Sequence, residues 1–422
     1  MTFLRPSAAF AFTALLLLHD PIIALTGNAL VSHALLAICL AWFCVSLMRA
    51  LFALRLPWVG GLKTFTVGCT LALLGMIYSL MDTGNFNVRV QFFATFALIP
   101  LMWASFSEQA AKPGARRRIH LLLLVYVGTE LMIMMLQILY FITGIGLPPG
   151  DLYESIVPGS QFNGNNLASI IVVLAIFYNA TAQETPRHER LLFNLIALAI
   201  LLITFSRLAM LLYVLDLLRG LSVQQAGRAL ALAAVLVGAG LMVSNIEYTG
   251  NETIDASLYK AKSLAMIIEV GFEADSSTSS RSESYLNFIE QLGLLGVGSV
   301  AILDYSTFTA GAVFADEALY INPHSMVIEI GYWMGWPGLL ALGAFMLVAY
   351  MRASQGRMLQ RGFVLMAVLF SSSIPSSAIP LLSFWAGLLL LAMSGAYAPP
   401  VRLRRNSPAP APAGQPINPV EG

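Results

Sequence analysis

Apolar residues run along this chain in long blocks parted by short polar breaks. Blocks close to the ~20 residues a helix needs to cross a bilayer fall at 7–26, 29–54, 60–80, 88–106, 119–145 and 165–183. A longer block, 191–218, is broken by Ser206-Arg207, and further blocks follow at 227–244, 324–350, 361–378 and 380–398. The pattern predicts an all-α integral membrane protein. With 191–218 counted as two elements meeting at Ser206, it has about twelve transmembrane helices.

Basic residues fix the expected orientation, because cytoplasmic loops collect Lys and Arg. Arg49, Arg55 and Lys63 follow the second span, Arg116, Arg117 and Arg118 the fourth, and Arg187 and Arg190 the sixth. Arg219 and Arg228 lie before the block at 227–244 and at its start, and Arg352, Arg357 and Arg361 follow the tenth span. Every second loop is basic only if 191–218 is crossed twice. Both termini are then cytoplasmic.

Composition agrees: 58% of the 422 residues are hydrophobic and 11% charged, against about 25% charged in soluble domains. The net charge of +1 and the lack of a long basic run argue against nucleic acid as a partner. Cys39, Cys44 and Cys69 lie in or beside apolar blocks and suggest neither a disulfide framework nor a zinc site. Arg5 before an apolar run resembles a signal peptide, but the spans that follow make it a retained first helix. The expected organisation is transmembrane helices one to nine over 1–244, a long external loop over 245–323, helices ten to twelve over 324–398, and a disordered Pro-rich cytoplasmic tail over 399–422.

The long loop carries eleven of the chain's 22 acidic residues against Lys260, Lys262 and Arg281, and a loop of this length is expected to be functional. Within it, "SSRSESYLNFIEQLG" reads as an amphipathic helix: Ser280 and Glu283 form a capping box. Tyr285, Leu286, Phe288, Ile289 and Leu292 make its apolar face, and Gly293 ends it. Such a helix suits the membrane interface. The loop ends in "INPHSMVIEIGYWMGW", where Asn322 and Pro323 predict a helix start with His324 in its first turn. Ser206-Arg207 has the same form.

Arg207, Arg281 and His324 are therefore all expected at helix N-termini on the external side. Helix N-termini favour phosphate and pyrophosphate, arginine adds bidentate donors, and a histidine there is biased to its neutral, proton-accepting form. Together they describe a site that holds a phosphate group and deprotonates something beside it. Each residue also has a plainer reading: Arg207 snorkelling to the interface, Arg281 pairing with a neighbouring acid, His324 as an interfacial histidine. A second polar cluster, "PGSQFNGNNLAS", offers Gln161, Asn163, Asn165 and Asn166 for sugar hydroxyls, or an Asn-capped turn into the sixth span. His19-Asp20 is a short polar turn with no partner visible in sequence.

The segment 159–168, the "TFSRLA" at 204–209, "SRSESYLNFIEQLGLLGVG", and "PHSMVIEIGYWMG" with Glu329 and Gly331 resemble, in order and spacing, the bacterial O-antigen ligase/polymerase superfamily. Two positions depart from its pattern: Ser325 follows the histidine where Asn is frequent, and 163–166 reads Asn-Gly-Asn-Asn without proline. The resemblance implies an integral membrane glycosyltransferase of the bacterial inner membrane with a periplasmic active site. It implies an undecaprenyl-pyrophosphate-linked glycan donor, a glycan or lipid A–core acceptor, and other polysaccharide-assembly proteins and membrane lipid as partners. Arg207 and Arg281 would face the lipid pyrophosphate and His324 the acceptor hydroxyl, with Gln161, Asn163, Asn165 and Tyr285 as substrate-binding residues. No cofactor and no catalytic metal are expected. The expected activity is polymerisation of O-antigen or exopolysaccharide repeat units, with ligation to lipid A–core as the alternative. A secondary transporter would carry ionisable sites near the midplane of two related halves, and a metal-dependent transferase would rely on acids such as Asp20.

Overall fold

The computed structural model describes residues 7–52, 62–81, 86–148, 157–161, 163–182, 185–204, 206–218, 288–289, 292–296, 325–353, 358–375 and 378–397. Secondary structure among them is entirely helical. The helices are α1 (Ala8–Thr26), α2 (Ala29–Phe52), α3 (Leu62–Met81), α4 (Phe86–Ala110), α5 (Ala115–Thr143), α6 (Gly164–Thr181), α7 (Arg187–Thr204), α8 (Arg207–Leu218), α9 (Met326–Ala353), α10 (Met358–Ser371), α11 (Leu382–Ala392) and the single turn α12 (Ser394–Tyr397).

Among the described residues, six helices are long and apolar enough to cross a membrane: α1, α2, α4, α5, α6 and α9. Phe65–Met81 and Leu382–Ala392 are shorter apolar stretches. The expected block at 227–244, most of the long loop and the tail lie outside the described residues.

The bundle has two polar ends. At the end that carries Arg116, Arg117 and Arg118, α1 and α4 are tied by Thr13 to Ser105 (2.9 Å) and by the Ser105 hydroxyl donating to Ala9 O (2.8 Å). There Tyr397 donates to Phe106 O at 2.9 Å, His120 lies 2.8 Å from both Thr181 and Thr185, and Arg117 pairs with Glu189. This is the basic end. Between the ends the core is aromatic and aliphatic, with Phe12 stacked on Phe43, Tyr178 stacked on Phe193, and Trp333 ringed by Tyr78, Phe92 and Phe96.

Prolines inside these helices remove backbone donors. Pro21 cannot bond the carbonyl of Leu17, and the Ser383 hydroxyl of α11 donates to that oxygen instead, at 3.5 Å. In α9, Gly335 adopts φ +62° and ψ −152° two residues before Pro337, and the helix kinks there.

The apolar block 191–218 folds as two helices parted at Ser206, the break the sequence pattern predicts. Tyr213 donates to Asn194 O at 2.7 Å. This bond joins a residue before the break at Ser206 to one after it, so α8 folds back along α7 and the two run antiparallel. Asn179 of α6 joins them, donating to Asp216 at 2.8 Å and exchanging amide bonds with Asn194. In hydrocarbon, polar side chains satisfy one another between helices, and this ladder fixes α6, α7 and α8 in register.

Candidate site at the motif end of the bundle

The end opposite the basic one gathers the C-termini of α1 and α5, the N-termini of α6 and α8, and the start of α9. Its centre is the turn at residues 158–160. Gly159 has φ +68°, and a Cβ there would lie 2.6 Å from Leu167 Cδ2 and 2.9 Å from Glu130 Oε2. Two side chains of α5 clamp the turn. Gln137 donates to Gly159 O (2.8 Å) and accepts from Gly159 N (3.0 Å). Glu130, fully buried, accepts from Ser160 N at 3.0 Å and from Ser160 Oγ at 2.5 Å. Residues 130 and 137 are two helical turns apart and so share one face. A buried carboxylate is tolerable because both its oxygens are hydrogen-bonded.

From this turn Gln161 reaches across to α1. Its amide donates to Asp20 Oδ2 at 2.9 Å and to Ser160 Oγ at 3.3 Å. The other Asp20 oxygen lies 3.0 Å from His19 Nδ1. Ser32 donates to His19 O at 2.9 Å, and the His19 and His33 rings are 5.1 Å apart. The partner of His19-Asp20 is thus Gln161, distant in the chain and so invisible to local reading. The direction of these bonds matters. A side-chain amide nitrogen only donates, so Gln161 feeds hydrogens toward Asp20 and Ser160. The chain of bonds orients groups and is no wire for protons.

Asn163 caps α6: its side-chain oxygen accepts from Asn165 N (2.7 Å) and Asn166 N (3.3 Å). Of the two readings of the Asn cluster, the cap is the one seen for Asn163. Asn165 sits half-buried in the first turn of the helix. Beside it, a Cβ on Gly164 would lie 3.4 Å from Thr204 Cβ. The N-terminus of α6 therefore abuts the end of α7, and Arg207 opens α8 three residues later. Met210 N donates to Ser206 O at 2.9 Å, which makes Ser206 the cap position and Arg207 the first helical residue, half-buried. Two of the segments that carry the family resemblance, 159–168 and 204–209, meet here.

The other two segments meet as well. Residues 292–296 lie against the kink of α9, where Trp336 N donates to Leu294 O at 3.2 Å and the Tyr78 hydroxyl to Leu295 O at 2.7 Å. The Phe288 ring packs on Tyr332 at 5.7 Å and fills the space a side chain at Gly331 would need, since a Cβ there would fall 2.5 Å from Phe288 Cζ. Buried Glu329 accepts from Ala378 N (3.0 Å) and Ile379 N (3.4 Å), tying α9 to the segment before α11.

One expectation is corrected. The helix of the tenth span opens at Met326, later than the Asn322-Pro323 start read from sequence. Its first turn is set by Glu329 N donating to Ser325 O and Met326 N donating to Ser372 O, both at 2.9 Å. Ser325 therefore occupies the cap position, and the start is fixed by packing against the α10 end. His324, Arg281 and Tyr285 lie outside the described residues.

Sequence reading passed over Glu130, Gln137 and Asp216. Each carried a signal: an ionisable or amide side chain inside an apolar block is itself a site candidate. Among the described residues no three His, Cys, Asp or Glu side chains gather as metal ligands. At the basic end, Arg117 donates to Glu189, which precedes the apolar run, and holds its carboxyl below the usual carboxylate range. No known family model matches the chain, and no curated protein is significantly similar to it.

Proposed function

We propose that this all-helical membrane protein is a glycosyltransferase that polymerises undecaprenyl-pyrophosphate-linked oligosaccharide repeat units into O-antigen or exopolysaccharide. The reading places about twelve crossings in the bacterial inner membrane, both termini in the cytoplasm, and the motif end at the periplasmic face.

One juxtaposition supports it above all: Gly164 lies against Thr204, bringing the first turn of α6 beside the helix that starts with Arg207. These segments are some forty residues apart in sequence and carry the resemblance independently. An arginine opening a helix at a membrane end suits a lipid pyrophosphate, because the helix N-terminus and the guanidinium both favour its charge.

The reaction follows from what is available outside the inner membrane, where no ATP supplies a leaving group. The acceptor hydroxyl oxygen attacks the donor's anomeric carbon while His324 takes the hydroxyl proton. The bond from that carbon to the pyrophosphate oxygen breaks, and the charge left on the lipid pyrophosphate is stabilised by Arg207 and Arg281. Displacement in one step inverts the anomeric centre.

The test is glycan assembly in a deletion strain complemented with wild type, Arg207→Ala, Arg281→Ala or His324→Ala, each checked for membrane expression. Loss of polymer with single lipid-linked units accumulating is the expected result. Long lipid-linked chains that never reach lipid A–core would make the protein a ligase, and normal glycan from all three variants would overturn the transferase reading.

A further inference from the structure

The motif end carries charges of both signs, the buried Glu329 carboxylate at the start of α9 among them. Arg207 stands at the start of α8, while the carboxylates Asp20 and Glu130 stand on α1 and α5. The two carboxylates are not equivalent. Both oxygens of Glu130 are enclosed, each accepting one hydrogen bond from Ser160, and no incoming group reaches them. Asp20 keeps a quarter of its side chain exposed, and each of its oxygens accepts one hydrogen bond. A carboxylate oxygen has two lone pairs, so each has one to offer.

His19 completes the feature. Its Nδ1 is engaged by Asp20, a hydrogen bond that fixes the ring and its tautomer. Its Nε2 bonds to no described residue, and the side chain keeps a 9% exposed edge beside Asp20. With the proton on Nδ1, Nε2 is an acceptor. Gln161 holds the assembly from the other side, and its amide is spent on Asp20 and Ser160. The open polar edge of α1 is thus two adjacent acceptors, one on a carboxylate and one on an imidazole.

We infer that His19 and Asp20, held by Gln161, form a saccharide subsite that accepts hydrogen bonds from neighbouring hydroxyls of the lipid-linked glycan. Adjacent acceptors match the paired hydroxyl donors of a sugar ring. They repel a phosphate, which the negative charge of Asp20 excludes from this side. A metal ion would need more ligands than one carboxylate and one imidazole; the His33 ring lies 5.1 Å from that of His19, yet no three His, Cys, Asp or Glu side chains gather as metal ligands among the described residues. The inference rests on the function proposed above and adds to it. With pyrophosphate at Arg207, the glycan extends across the first turn of α6 toward α1, and the recognition expected of Gln161 and Asn163 passes to His19 and Asp20. Gln161 becomes a positioning residue, and Asn163 is occupied as a helix cap.

The experiment compares two probes on the full-length protein in lipid nanodiscs: undecaprenyl pyrophosphate alone, and the same lipid carrying one hexose. Binding is measured for wild type, Asp20→Asn and His19→Gln. Losing a hydrogen bond to a charged group corresponds to about ten-fold in affinity. Asp20→Asn is expected to weaken the sugar-bearing lipid by about that factor and leave the bare lipid unchanged, with His19→Gln in the same direction. Equal loss on both lipids, or loss on neither, overturns the subsite while the transferase reading stands. Wild type that binds the bare pyrophosphate lipid no better than undecaprenol overturns the transferase reading, and the subsite with it.

Discussion

Gly296 and Gly335 meet backbone against backbone, and neither position can carry a side chain. Their φ angles are +70° and +62°, and a Cβ on Gly335 would fall 2.4 Å from Gly296 N and 2.7 Å from Leu294 O. This contact joins "LGLLG" to "YWMGW", the late-loop segment to the kink of α9, with Trp333 and Tyr78 packed beneath it.

Gly335→Ala is therefore strained twice, by a conformation almost reserved for glycine and by direct overlap. It is expected to lower stability by about 1–3 kcal/mol, read as a drop in the thermal unfolding midpoint in detergent. The control Gly343→Ala lies in the same helix with open space around its Cα and is expected to be neutral. Equal midpoints for both variants would remove the contact from the account.

Glu130→Ala leaves the half-buried Ser160 N without its acceptor, a loss of about 1–3 kcal/mol. Glu130→Gln keeps an oxygen for that N–H and is expected to lose less than half as much. Gln137→Ala, which frees both polar groups of Gly159, should match Glu130→Ala. The three unfolding midpoints decide whether the clamp on the 158–160 turn is what holds it.

The Arg117–Glu189 pair makes a pH prediction. The Glu189 carboxyl is held below its ordinary value by Arg117, so its contribution is full above the unfolded carboxylate range, about pH 4.3, and is lost as pH falls below it. Arg117 is nearly half exposed, so the pair is worth only about 0.5 kcal/mol. Arg117→Ala should be less stable than wild type by about that amount near neutrality, with the difference vanishing in acid. A difference that persists at low pH would assign the effect to lost packing instead.

Much of the helix layout was legible in the sequence because hydropathy is a one-dimensional signal. The break at Ser206 is one case: a polar pair inside an apolar run, together with basic residues in every second loop, required two helices there. The Asn163 cap was legible for the same local reason. The site's interior was not. Asp20 and Gln161 are far apart in the chain, and Glu130 and Gln137 sit singly in an apolar block with no local partner to reveal them. The start of α9 was misread because a good cap sequence at Asn322 was outweighed by a tertiary bond, Met326 N to Ser372 O.

The central claim, that the motif end transfers glycans from a lipid pyrophosphate, is tested most directly by reconstitution. Purified protein in nanodiscs is given undecaprenyl-pyrophosphate-linked repeat units, and the products are resolved by length. Wild type is expected to yield a ladder of polymers with release of undecaprenyl pyrophosphate. Arg207→Ala should slow this at least 100-fold, as removal of one charge-stabilising donor does elsewhere, and His324→Ala by about 10²–10⁴-fold. Wild-type protein that leaves the repeat units unchanged, or an Arg207→Ala variant that polymerises at the wild-type rate, would contradict the account.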